Sequence, residues 1–184
     1  MKKFFVLSSL FILAFLTRTV WHLGPNVELI TLVMLLSATY FDGRTSFWLT
    51  LTVLVSTDLV LGNTNVLLFT WSGFLLPLFL VTRVLKFKLN RIISGTFTGL
   101  GANLFFYAWT NFGVWLLDAW GMYPRNLSGL LASYINGLPF LKNQLVGNLI
   151  FIPLGFGIVE IIKNRGEIYD WIRAKYRIFD SSQL

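Results

Sequence analysis

Between Phe4 and Ile162 the chain runs through six long apolar stretches parted by short polar breaks, and that alternation restricts its folding more than any other feature. A bilayer core about 30 Å thick takes roughly 20 helical residues to cross. Backbone polar groups in hydrocarbon must bond within their own segment, so such stretches are read as helices. The six are approximately Phe4 to Trp21, Val27 to Phe41, Phe47 to Leu61, Val66 to Leu85, Ile92 to Leu117 and Leu145 to Ile162. The second and third are short; shielding by neighbours accommodates them, and five spans plus a re-entrant piece is the competing count. With 55% hydrophobic and 12% charged residues, the chain is far from the balance of a soluble domain. The expected fold is an all-α membrane protein, a six-transmembrane-helix bundle over residues 1–162.

Orientation follows from the cations, which collect in short cytoplasmic loops. With the N-terminus inside, the inner side holds Lys2, Lys3, Arg44, Arg83, Lys86, Lys88, Arg91, Lys163, Arg165, Arg173, Lys175 and Arg177, and the outer side only Arg18, Arg125 and Lys142. Both termini are therefore expected in the cytoplasm, with the bundle in a bacterial inner membrane. Met1-Lys2-Lys3 before an apolar run also resembles a signal peptide, but no Ala-x-Ala pattern follows Thr17-Arg18-Thr19, so the segment is read as a retained helix.

The longest break, residues 118–143, lies on the outer side. Within it Leu127, Leu130, Leu131, Tyr134, Ile135 and Leu138 share a helical apolar face, which predicts a short outer surface helix ended by Gly137 and Pro139, placed like a lid. The tail, residues 163–184, places Ile168, Trp171, Ile172 and Lys175 at helical spacing and predicts a basic amphipathic helix on the cytoplasmic surface.

Polar groups inside apolar spans demand a reason. Asn103, Tyr107 and Thr110 share one stripe of the fifth span, with Asn111 beside them and Trp115 one turn on. Such groups hold bundles together, and they also orient small molecules between aromatic walls. Ionisable residues in or beside spans are costly and mark functional candidates: Arg18, His22, Glu28 and Asp58, all in the outer half. Pro25 can open the second helix and set Glu28 at its positive end, and Asp58 can pair with Arg18 or cap the turn at Gly62-Asn63. Asn26 and Trp21, Trp71, Trp120 and Tyr123 lie on the same side. Gly95-x-x-x-Gly99, continued by Gly101 and Ala102, offers a smooth face for close helix packing.

Enzymatic constellations are thin. The single histidine has no second metal ligand or nucleophile at useful spacing, no phosphate-binding glycine loop occurs, and the absence of cysteine excludes thiol chemistry. No catalytic residue, resident metal or cofactor is expected, and the net charge of +7 is a topology signal, not a nucleic-acid footprint.

Gly24-Pro25-Asn26-Val27-Glu28, Asp58-Leu-Val-Leu-Gly62, Phe105-Phe106 with Thr110-Asn111-Phe-Gly-Val-Trp115, and Tyr123-Pro124 with Gly137-Leu-Pro-Phe140 resemble an uncharacterised bacterial family that is similar to the substrate-binding S components of energy-coupling factor transporters. The resemblance implies a six-helix subunit that captures a scarce nutrient near the outer face, with a transmembrane coupling subunit and two ATPases as partners. The histidine arrangement of the metal-specific members is missing, so it implies a small organic substrate such as a vitamin. The substrate-binding residues so expected are Arg18, Asn26, Glu28, Asp58, Asn103, Tyr107, Asn111 and Trp115. A structural protein of the cell-shape rod complex, which has a similar six-helix plan, is the alternative; the Gly95 and Gly99 face and the basic tail would then meet partners.

Overall fold

The computed structural model describes residues 2–21, 23–62, 65–84, 90–118 and 120–180, with side chains over residues 3–166. These residues form six helices and no strand: α1 (Lys2–Thr19), α2 (Ile30–Tyr40), α3 (Gly43–Leu61), α4 (Leu67–Val84), α5 (Arg91–Leu117) and α6 (Leu127–Asp180). His22, Asn63, Lys86 and Lys88 lie outside the described residues, as do the side chains of the expected amphipathic tail beyond residue 166.

α2 is the axis of the fold. Every residue from Ile30 to Ser37 is buried, and the helix touches all five others. Its shortness thus has the reason expected of it, since neighbours and not solvent surround it. Leu32, Leu35 and Leu36 pack with Leu78, Ala102, Ile152 and Phe156, while Ile30 and Val33 pack with Ala14, Val53, Leu54 and Phe74. The outward faces are apolar as well: Phe4, Leu59, Leu68, Phe97 and Leu127 are among many large hydrophobic side chains left exposed. Exposed apolar surface on that scale marks contact with lipid or with partner proteins.

Among the described residues, two helices are long and apolar enough to cross a membrane, α4 and the Leu127–Gly166 part of α6. The others fall short for visible reasons. α1 carries Lys2, Lys3 and Arg18 in 18 residues, α2 has only 11, Arg44, Asp58, threonine and serine dilute α3, and threonine, glycine and asparagine dilute α5.

The helix ends gather at two poles. At one, Lys3 of α1 reaches Asp42 before α3 at 3.6 Å, Gly43 adjoins Thr82 of α4, and Tyr40 of α2 meets Arg91 of α5 and Glu160 of α6. At the other, Arg18 of α1 meets Glu28 before α2 and Asp58 of α3, which in turn holds Trp71 of α4. Asp42 caps α3 by accepting from the Thr45 N–H at 2.7 Å and the Thr45 hydroxyl at 2.6 Å. Those two donors hold its carboxyl below the usual value of 3.8. A carboxylate depressed on folding stabilises fully above that usual value and loses its contribution as pH falls through the folded one. Asp42→Ala is expected to cost about 1 kcal/mol at neutral pH, and the gap between wild type and variant should close in melts recorded below pH 4, in the window just described.

α5 and α6 pack side by side in opposite directions. A Cβ at Gly95 would overlap the Phe156 ring, and one at Gly99 would overlap Ile152 and Leu35, so the small-residue face expected on α5 is filled from within the chain. Gly101 meets nothing within 4 Å and takes no part in that face.

Three expectations are corrected here. Gly137 and Pro139 do not end a short surface helix: α6 continues through Pro139 and Pro153 for 54 residues, about 80 Å, and the tail from Lys163 is its continuation and not a separate helix. Gly137 does not adopt the left-handed conformation of a helix stop; it lets Asn111 of α5 approach, where a Cβ would stand 2.5 Å from Asn111 Oδ1. Proline removes a single N–H, which a long packed helix tolerates. Nor does Pro25 open α2, which is preceded by Leu29 as N-cap; Gly24 and Asn26 instead take positive φ in the connecting turn.

Candidate functional site: an ion cluster and a neutral cavity at one pole

Arg18 occupies the last turn of α1 with its side chain 6% exposed, and a buried guanidinium needs partners on every side. Its Nη2 stands 3.0 Å from Asp58 Oδ1, and Nη1 donates to the Thr57 hydroxyl at 2.8 Å. Nε lies 3.2 Å from Glu28 Oε2, but its N–H is not aimed along that line, so this contact is Coulombic without a hydrogen bond. Asp58, 3% exposed, also accepts from the Trp71 indole at 2.6 Å. The cluster ties α1 to α3, α3 to α4, and the turn before α2 to α1. The Arg18 cation, set between two carboxylates, is fully compensated, so it offers no free positive charge for a substrate.

A cavity of about 360 Å³ opens at the same pole, between α5, α6, the 120–123 connection and Asn26. Its walls are Phe106, Val114, Trp120, Met122 and Phe140. Its polar groups are carboxamides from Asn26, Asn111, Asn136 and Gln144 and hydroxyls from Tyr107, Thr110 and Tyr123. Among the described residues, no Lys, Arg, Asp or Glu lines it. Tyr107 donates to the Tyr134 carbonyl at 2.6 Å and Asn111 Nδ2 to the Tyr107 carbonyl at 2.8 Å, which fixes both side chains against α6 and α5. The Tyr107 oxygen lone pairs and Asn111 Oδ1 keep acceptor capacity. Asn26, at φ 57, is held in a conformation that few residues other than glycine adopt.

Of the eight expected binding residues, Asn26, Tyr107 and Asn111 line this cavity. Arg18, Glu28 and Asp58 form the ion cluster instead. Asn103, 1% exposed, sits deeper, accepting from the Thr31 hydroxyl at 3.3 Å, and so binds α5 to α2. Trp115 donates its indole N–H to the Pro124 carbonyl at 3.1 Å and pins the loop after α5. Trp71 is engaged by Asp58.

A family model described as a family of unknown function, DUF6580, matches residues 1–169. The chain belongs to that family. No curated protein and no solved structure matches it. The DUF6580 match takes in the ion cluster and the whole cavity. Sequence reasoning missed Asn136, Phe140 and Gln144, although they stand four residues apart on one helical stripe of this DUF6580 chain. The stripe was hidden because Gly137 and Pro139 were read as a stop between them. Among the described residues, no three His, Cys, Asp or Glu side chains gather as a metal site would require.

Proposed function

We propose that this chain is the substrate-binding, S component-like subunit of an energy-coupling factor-type transporter, a six-span bundle of the bacterial inner membrane with both termini cytoplasmic. Its cargo is a small, uncharged organic nutrient of the vitamin class. The observation that carries this reading is the cavity at the outer pole. Its 360 Å³ fall within the range of small-ligand sites, and its make-up of aromatic walls with a few fixed amide and hydroxyl groups is that of a ligand pocket. A pocket without charged lining disfavours ionic cargo, because a desolvated ion there would have no counter-ion. The exposed apolar faces and the concentration of cations at the opposite pole support the membrane orientation. ATP hydrolysis belongs to partner subunits in this scheme, with a transmembrane coupling subunit between them and this chain. The scaffold alternative leaned on the Gly95 and Gly99 face, which Phe156 and Ile152 of the same chain occupy.

The test is a ligand search on the purified protein. Native mass spectrometry should show a co-purifying small molecule, or a panel of neutral water-soluble vitamins should contain one that raises the melting temperature. A protein that carries nothing and responds to no neutral nutrient, while melting cooperatively, is not a capture subunit for one.

A further inference from the structure

At the pole opposite the nutrient cavity, a second cavity of about 490 Å³ opens between α1, α2, α5 and α6. One wall is aliphatic, made by Val6, Leu10, Leu36 and Val159, and the mouth carries Arg91 and Lys163. Both cations rest against the same aromatic ring: the Arg91 guanidinium carbon and the Lys163 Nζ each lie 5.3 Å from the centre of Tyr40. Tyr40 donates its hydroxyl to Glu160 Oε1 at 2.5 Å, and Arg91 Nε stands 3.9 Å from that same oxygen. Glu160 is therefore engaged by the tyrosine and pairs with Arg91 only at the limit of ion-pair distance. Two cations against one carboxylate leave a net positive mouth, to which the N-terminal end of α5 adds its dipole.

We propose that this cavity binds an anionic phospholipid, with its phosphate between Arg91 and Lys163 and an acyl chain along Val6, Leu10, Leu36 and Val159. The guanidinium suits a phosphate in paired N–H···O geometry, and the ammonium supplies a second point charge. A free phosphate would use the mouth and leave the aliphatic wall unused; a zwitterionic lipid would use the wall and gain less from the cations. The inner leaflet, which this pole faces in the proposed orientation, is where anionic lipids draw cationic side chains. The inference rests on the membrane orientation and not on the identity of any nutrient.

The delipidated full-length protein in detergent is titrated with short-chain phosphatidylglycerol, phosphatidylcholine of the same chains, and inorganic phosphate, with native mass spectrometry as readout. Phosphatidylglycerol is expected to bind best. Lys163→Gln, at an exposed position resting on the Tyr40 ring, should weaken it about fivefold. Val6→Trp, which adds bulk to the aliphatic wall and changes no charge, should remove binding while the melt stays cooperative. Equal affinity for phosphatidylcholine overturns the assignment in favour of a chain groove that reads no charge. Displacement of the lipid by phosphate at comparable concentration overturns it in favour of a free-anion site, and an unchanged affinity in Lys163→Gln overturns it as well. None of these outcomes bears on the vitamin panel, so the two readings fail separately.

Discussion

Replacing Arg18 by methionine is expected to destabilise the protein by about 3–5 kcal/mol, the range found when one partner of a buried ion pair is removed. Methionine fills much of the volume, so the loss is electrostatic more than steric. Asp58, almost wholly buried, would keep its Trp71 partner but lose the cation 3.0 Å away, and Glu28 would lose the guanidinium at 3.2 Å. Thr57 would lose the donor on its hydroxyl as well. The test that separates charge from packing is compensation. Neutralising the carboxylates in the same chain, as Arg18→Met/Glu28→Gln/Asp58→Asn, should recover much of the loss, because no buried charge is then left alone. Melting curves in detergent decide it: a single variant that melts with wild type shows that the cluster contributes no net stability, and a triple variant worse than the single one shows that packing governs. Folded single variants should keep their ligand affinity, since no atom of Arg18 lines the cavity.

How far the sequence foretold this arrangement depends on the kind of signal. Periodicity and length located the first five helices to within a few residues, because apolar runs of about 15–26 residues leave little else to form. The pairing of Arg18 with Asp58 was legible for a related reason: an arginine and an aspartate near the same end of neighbouring apolar segments have few other partners. Asn103 was visible as a polar oddity but not as a packing residue, since depth inside a bundle depends on which face meets α2, and a single helix does not carry that information. α6 was the largest miss. Proline and glycine punctuate soluble helices through missing N–H groups and left-handed turns, yet here tertiary contact decides: Tyr107 on the Tyr134 carbonyl and Asn111 against Gly137 hold that turn of α6 on α5 through both residues. Joining those two segments is what brings Asn136, Phe140 and Gln144 to the cavity.

Asn111→Leu is the substitution expected to affect ligand capture most. The side chain is nearly isosteric, so the cavity keeps its shape and α6 can still approach at Gly137. The loss is one hydrogen bond from Nδ2 to the Tyr107 carbonyl, worth about 1 kcal/mol of stability, and the removal of the Oδ1 acceptor from a pocket that offers few of them. A ligand group left unpaired in a desolvated site costs about 1–3 kcal/mol, so affinity should fall roughly tenfold to a hundredfold. Tyr107→Phe provides the contrast. It deletes the hydroxyl that ties α5 to the Tyr134 carbonyl, so it should lower the melting temperature along with affinity, whereas Asn111→Leu should lower affinity far more than stability. Affinity is measured with whichever nutrient the panel identifies, against wild type and Arg18→Met/Glu28→Gln/Asp58→Asn as the fold control. If Asn111→Leu binds as wild type does while the ion-cluster variant does not, the recognition site lies at the charged cluster, and an ionic cargo replaces the neutral one.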